Sequence, residues 1–147
     1  MFRHLLVPTD GSDLSTSTVD RAVSFARETG ASLTFLYAKP EFPVTLYSDG
    51  MVIDPASPQR FEDAANAQAK EILDKAVAAA TAAGVAADSV AKSSDIPYEA
   101  IIAAAEEKGC DLIFMASHGR RGISAVLLGS ETQKVLTHSK IPVLVYR

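Results

Sequence analysis

Residues 111–130 read DLIFMASHGRRGISAVLLGS, and this stretch decides the fold class. The run 111–116 is apolar at consecutive rather than alternate positions, the pattern of a short strand covered on both faces. Covering both faces of a sheet takes helices on both sides, and therefore strands joined by helical crossovers. A glycine-rich loop, 117–129, separates this strand from a last short helix starting at Ser130. Ser130 with Gln133 three positions on has the form of a capping box, which satisfies two N–H groups of a first helical turn.

Strands and helices alternate outward from this stretch. Residues 3–8 (RHLLVP) form a first strand ending at the turn cluster Thr9-Asp10-Gly11-Ser12. From Asp13 to Thr29 the spacing turns helical, with Val19, Ala22, Val23 and Ala26 on one face and Gly30 placed as a C-terminal glycine. Residues 32–38 read as a second strand. Pro40, Pro43, Pro55 and Pro58 deny 39–58 a regular helix or central strand, leaving a binding loop or lid on one reading and a disordered insertion on the other. A second helix is predicted over 59–83, facing inward with Phe61, Ala65, Ala69, Ile72, Ala76 and Ala80. A polar strand follows near 87–93. Pro97 opens a third helix whose inner face carries Ile101 and Ala105, and IPVLVY at 141–146 makes the last strand. The class is α/β: one open, mostly parallel five-stranded sheet in a single domain, 1–147.

The 147 residues suffice to bury a core without a disulfide or structural metal. Fourteen Lys and Arg against eighteen Asp and Glu give a net charge of −4, which argues against a nucleic-acid or membrane-surface partner. The single cysteine, Cys110, excludes an internal disulfide and suits a reducing compartment. With no long apolar run and no secretory-type N-terminus, the expected location is the cytoplasm.

Ligands of open parallel sheets sit beyond the carboxyl ends of the strands, where the strand order reverses. Two loops suit that place. In Pro8-Thr9-Asp10-Gly11-Ser12 a carboxylate can meet a ribose or a base edge, while the spacing alone favours Asp10 or Ser12 as a cap of the next helix. The second loop is Ala116-Ser117-His118-Gly119-Arg120-Arg121-Gly122, continuing to Gly129-Ser130-Glu131-Thr132. Gly119, Gly122 and Gly129 can take positive φ and turn N–H groups toward one point. The helix N-terminus beyond them favours a phosphate. Ser130 and Thr132 add hydroxyls, and Arg120 and Arg121 add charge. His118 is read as a loop residue that either touches the ligand or bonds locally. His4 and His138 read as surface residues, Cys110 as inert and Phe35 and Phe114 as core.

Together LLVPTDGS and ASHGRRGISAVLLGSETQKVLTHSKIPVLVYR resemble the universal stress protein family along nearly the whole chain. Gly119, nine intervening residues, then Gly129 and Ser130 match the later part of its G-x2-G-x9-G-[ST] signature; Ala116 stands where the first glycine belongs. The resemblance implies strand order 3-2-1-4-5, helices on both faces, and ATP as ligand. It implies that Asp10 meets the nucleoside, with Pro8, Thr9 and Ala38 around it. Ala116, Ser117, His118, Gly119, Arg120, Arg121 and Gly122 would wrap the ribose and triphosphate, and Gly129, Ser130, Glu131 and Thr132 would hold phosphate oxygens. It further implies a homodimer through 141–146. The expected function is a nucleotide-dependent regulatory switch acting on a protein partner. Mg²⁺ would bridge the phosphates, and turnover would be at most slow, since no complete Walker A sequence is present. Its rivals are a nucleotide-free dimeric interaction module and an enzyme, the latter disfavoured because neither an HxGH-type signature nor a paired-acid turn is present.

Overall fold

In the computed structural model, residues 1–43, 55–118 and 128–147 are described. Strand β1 (His4–Pro8) leads into helix α1 (Asp13–Thr29), β2 (Ser32–Lys39), α2 (Ser57–Ala82), β3 (Ala87–Ser93), α3 (Pro97–Glu107), β4 (Leu112–Ala116), α4 (Ser130–His138) and β5 (Val143–Tyr146). The five strands form one sheet in the order β3-β2-β1-β4-β5, and every pairing is parallel. Strand order and class are those expected, and the polar β3 is a true strand.

Helices α1 and α2 cover one face of the sheet. There Leu5, Val7, Leu33, Phe35 and Phe114 pack against Val19, Val23, Ala69 and Leu73. On the other face Leu6, Leu36, Ile113 and Met115 meet Ile101, Ala104 and Ala105 of α3 and Val135 of α4. Each apolar side chain of this size removed from water contributes about 1.5–3 kcal/mol, so the two layers dominate the folding energy. The inner face of α1 is the one expected; α2 buries Leu73 where Ile72 was expected, and Ile72 packs at the margin.

Prolines and glycines punctuate the chain. Gly30 and Gly84, after α1 and α2, both have φ of +73°, a conformation that penalises any side chain. Pro58 occupies the first turn of α2, so the last of the four prolines in 39–58 starts a helix rather than forbidding one. The rest of that stretch from 44 to 54, with its choice between lid and insertion, lies outside the described residues. So do Gly119, Arg120, Arg121 and Gly122.

The sheet is split where the strand order reverses. Strand β1 pairs with β2 along its whole length, from His4↔Ser32 to Pro8↔Leu36, but with β4 only at Leu5↔Leu112 and Leu6↔Ile113. Thr9 N donates to Leu36 O on the β2 side at 2.8 Å. Alternation along the strand then turns the Pro8 nitrogen toward β4, and proline has no hydrogen to give there. Beyond Leu6 the two strands part, and a crevice opens at their carboxyl ends.

Candidate functional site

A cavity of about 490 Å³ occupies this crevice. Pro8, Leu36, Ala38, Pro97, Ile101 and Met115 supply its apolar lining, while Thr9, Asp10, Ser15, Ser94 and Asp95 bring polar groups. Ala116, His118, Gly129, Ser130, Glu131 and Thr132 line its far end.

The acidic turn is locked from within. Gly11 has a φ of 76°, which lets the chain reverse. Ser12 caps α1 by accepting a bond from Ser15 N at 3.3 Å, and Asp10 Oδ1 accepts one from Ser12 N at 2.9 Å. Below them the buried Ser15 hydroxyl donates to Thr9 Oγ1 at 2.7 Å and accepts from Asp10 N at 3.0 Å. Ser12 is therefore the cap, and the Asp10 carboxylate both shapes the turn and lines the cleft.

At the other end, Gly129 differs from the expectation of positive φ. Its φ is −61° and ψ 150°, ordinary extended backbone. Glycine is required there for space: a Cβ would stand 3.0 Å from His118 Cα and 3.2 Å from Ser117 O. Gly129 N donates to Ser117 O at 2.8 Å, which seals the contact. The expected capping box is also absent. Gly129 is the N-cap, so Ser130 lies one position inside the helix, where its hydroxyl does not reach back to the first-turn N–H groups. Gln133 Nε2 donates to Leu128 O at 2.9 Å instead. No side chain caps α4 among the described residues, so its first-turn donors, on residues that line the cavity, have no side-chain acceptor there.

Two expected phosphate ligands have other work. Glu131 Oε2 accepts from Tyr98 N at 2.8 Å, in the first turn of α3, and Oε1 pairs with Lys134 at 2.9 Å. The Thr132 hydroxyl donates to Ala116 O and Ser117 O, both at 3.1 Å. Each residue can offer a ligand its backbone N–H rather than its side chain. Ser117 is buried behind the lining, its N–H donating to Tyr146 O at 2.8 Å.

Of the expected residues, the structure brings together Pro8, Thr9, Asp10, Ala38, Ala116, His118, Gly129, Ser130, Glu131 and Thr132. Ser15, Leu36, Tyr37, Pro40, Ser94, Asp95, Pro97, Ile101 and Met115 also line the cavity and were not anticipated. For Ser15 a signal existed: a serine one turn into a helix that follows a Thr-Asp-Gly turn. The residues of the β3–α3 connection and of α3 carried none, because only packing brings them to this crevice. Asp95 there accepts from Glu41 N at 3.0 Å, joining the chain beyond β2 to the turn before α3.

Away from the cleft, His4 is not simply a surface residue. Half-buried, it meets Thr34 Oγ1 through Nε2 at 2.8 Å; Thr34 also bonds Asp88, which pairs with Lys108 at 2.9 Å. His138 is exposed, its ring 5.2 Å from that of Tyr98. Burial pushes the Cys110 thiol up to about 11, which keeps it uncharged and unreactive. Among the described residues no three His, Cys, Asp or Glu side chains are grouped to hold a metal ion, and no helix is long and apolar enough to cross a membrane.

A doubly wound sheet with a cleft at its point of strand reversal defines a class of small-ligand-binding α/β domains. Within it, the profile of the Universal stress protein family matches residues 1–147, and the chain belongs to that family. Universal stress protein YxiE of Bacillus subtilis is 36% identical over 152 residues, covering 100% of both chains. The structure of MJ0577, a universal stress protein of Methanocaldococcus jannaschii, superposes with a TM-score of 0.82 at 25% identity, covering 99% of this chain and 95% of the other. A universal stress protein solved in complex with cAMP superposes with a TM-score of 0.72 at 29% identity, covering 99% of this chain and 97% of its own.

Proposed function

We propose that the cleft binds an adenine nucleotide, ATP in the first instance, and that occupancy works as a regulatory switch rather than as a step in catalysis. The observation that carries this reading is the pairing of two unlike ends in one cavity. At one end the first turn of α4, without a side-chain cap, presents N–H donors and the positive end of a helix dipole, which suit a phosphate. At the other, Pro8, Leu36, Ala38, Pro97 and Met115 make an apolar slot for a base, with Asp10 between the two ends to take the ribose hydroxyls. The relative bound to cAMP supports the same chemical class of ligand. Mg²⁺ would arrive on the phosphates, held by them and by water, as this ion prefers, rather than in a cage of side chains.

Binding is favoured over turnover because the side chains at the phosphate end already hold structure: Glu131 holds α3 and Thr132 holds the end of β4. Arg120 and Arg121, between β4 and α4 in the sequence, would meet the phosphate charge and carry the change to a protein partner in the cytoplasm. Calorimetry with Mg·ATP tests the reading. Saturable heat is expected, with thermal stabilisation of about 2.7 kcal/mol at a hundredfold excess over Kd. Neither heat nor stabilisation at millimolar nucleotide would reject it.

A second reading, a dimeric module without nucleotide, draws on β5, which forms one edge of the sheet and leaves Val143–Tyr146 only half-buried. Light scattering of the purified protein, combined with its absorbance spectrum, separates the two. A dimer carrying adenine absorbance supports the switch with β5 as its interface, whereas a dimer free of nucleotide and unresponsive to it supports the module.

A further inference from the structure

We infer that Ser117 fixes the ring of His118 in the tautomer protonated at Nε2, and that this N–H donates to the phosphate held at the N-terminus of α4. The inference rests on the nucleotide reading of the cleft and adds to it a positioning residue that does not touch the ligand. Ser117 Oγ lies 3.1 Å from His118 Nδ1. Serine and histidine can bond either way round, so the surroundings decide which atom donates.

Those surroundings favour the serine as donor. Ser117 is only 2% exposed, too buried for its hydroxyl hydrogen to find bulk water. Its backbone is held on both sides, the N–H by Tyr146 O and the carbonyl by Gly129 N and the Thr132 hydroxyl. Among the described residues its hydroxyl has one partner, the His118 ring. Donation from Nδ1–H to Oγ would therefore leave a buried hydroxyl hydrogen with no acceptor, the costlier arrangement. Donation from Oγ to Nδ1 satisfies both atoms and places the ring proton on Nε2.

His118 lines the cavity, and Gly129 packs directly against its Cα. Residue 118 thus adjoins the N-cap of α4 and lines the same cavity as Ser130 and Glu131, the end of the cleft at which the phosphate would meet its Nε2–H.

Long-range ¹⁵N–¹H NMR of the whole, nucleotide-free protein in mildly alkaline buffer reads the tautomer directly. The expected spectrum has His118 Nδ1 as the unprotonated nitrogen. In Ser117→Ala the ring should relax toward a mixture of tautomers, and ADP affinity should fall about tenfold while adenosine affinity stays within error. Three results overturn the inference: an Nδ1–H ring in the wild type, a tautomer unchanged in Ser117→Ala, or equal losses for ADP and adenosine, which would make Ser117 merely structural. If Ser117→Ala does not fold, the wild-type spectrum decides alone. A wild type that binds no nucleotide at all would defeat the function proposed for the cleft and the phosphate role with it, whereas a wrong tautomer defeats this inference only.

Discussion

A methyl group on residue 129 would press on backbone, His118 Cα at 3.0 Å and Ser117 O at 3.2 Å, and backbone yields less easily than a flexible side chain. Gly129→Ala is therefore expected to push the start of α4 away from the end of β4. The stability cost is about 1–3 kcal/mol by urea unfolding, and nucleotide affinity, by calorimetry, should fall about tenfold. Unaltered affinity would remove this junction from the binding site. The importance of Gly129 is legible in the sequence, from its spacing to Gly119 and its place before a helix, but the reason is not. Positive φ is a property of one residue and can be guessed from a glycine. Close approach involves two segments and depends on where β4 and α4 meet. Asp10 and Ser12 show the opposite case: Ser12 is the cap and Asp10 lines the cavity, both within one short turn, so local sequence already contains them.

Between elements, the Glu131 side chain ties the first turn of α4 to the first turn of α3 through Tyr98 N at 2.8 Å. An anion at a helix start satisfies an orphan donor and complements the dipole. Removing it in Glu131→Ala is expected to cost about 0.5–2 kcal/mol in urea unfolding, and Glu131→Gln, which keeps an acceptor, should recover part of that loss. Equal destabilisation by both substitutions would assign the effect to charge alone. The helices themselves are readable from periodicity, and their bounds fall within two residues of those expected because Gly30, Gly84, Pro97 and Gly109 mark them. The displaced detail on α2, Leu73 for Ile72, follows from a helical period of 3.6: two adjacent positions both lie near the apolar meridian, and the neighbouring sheet selects one. The capping box failed for a related reason. Ser130 and Gln133 have the right separation, but the fold starts the helix so that Gly129 is the cap.

For the whole molecule, polar bonds pin the base of the sheet, at the end away from the cleft. Burial opposes the charge of Asp88, yet the Thr34 hydroxyl and Lys108 outweigh it and hold its carboxyl below the usual value. Burial likewise opposes the charge of Asp111, and the His4 and Arg3 N–H groups outweigh it, at 3.0 and 2.9 Å. Lower folded values than unfolded ones mean that this stabilisation is complete above the ordinary carboxylate range and is lost as pH falls through the folded values. Urea midpoints are therefore expected to drop on acidification, and to drop less steeply in Asp88→Asn, whose baseline is already lower. An identical acid slope in that variant would clear Asp88 of the role. The amino-acid sequence by itself determined the succession of strands and helices along the chain, most of their apolar faces and the turn at residues 9–12 beside the cleft, because periodicity and turn chemistry act over a few neighbouring residues. Only the tertiary structure decided which segments meet around the crevice: Glu131 turned to α3, Ser117 bonded to Gly129 and Tyr146, and Ser94, Asp95 and Ile101 brought to the cavity wall. Those contacts join segments far apart in the chain, and their geometry exists only after the two layers of helices have packed on the sheet.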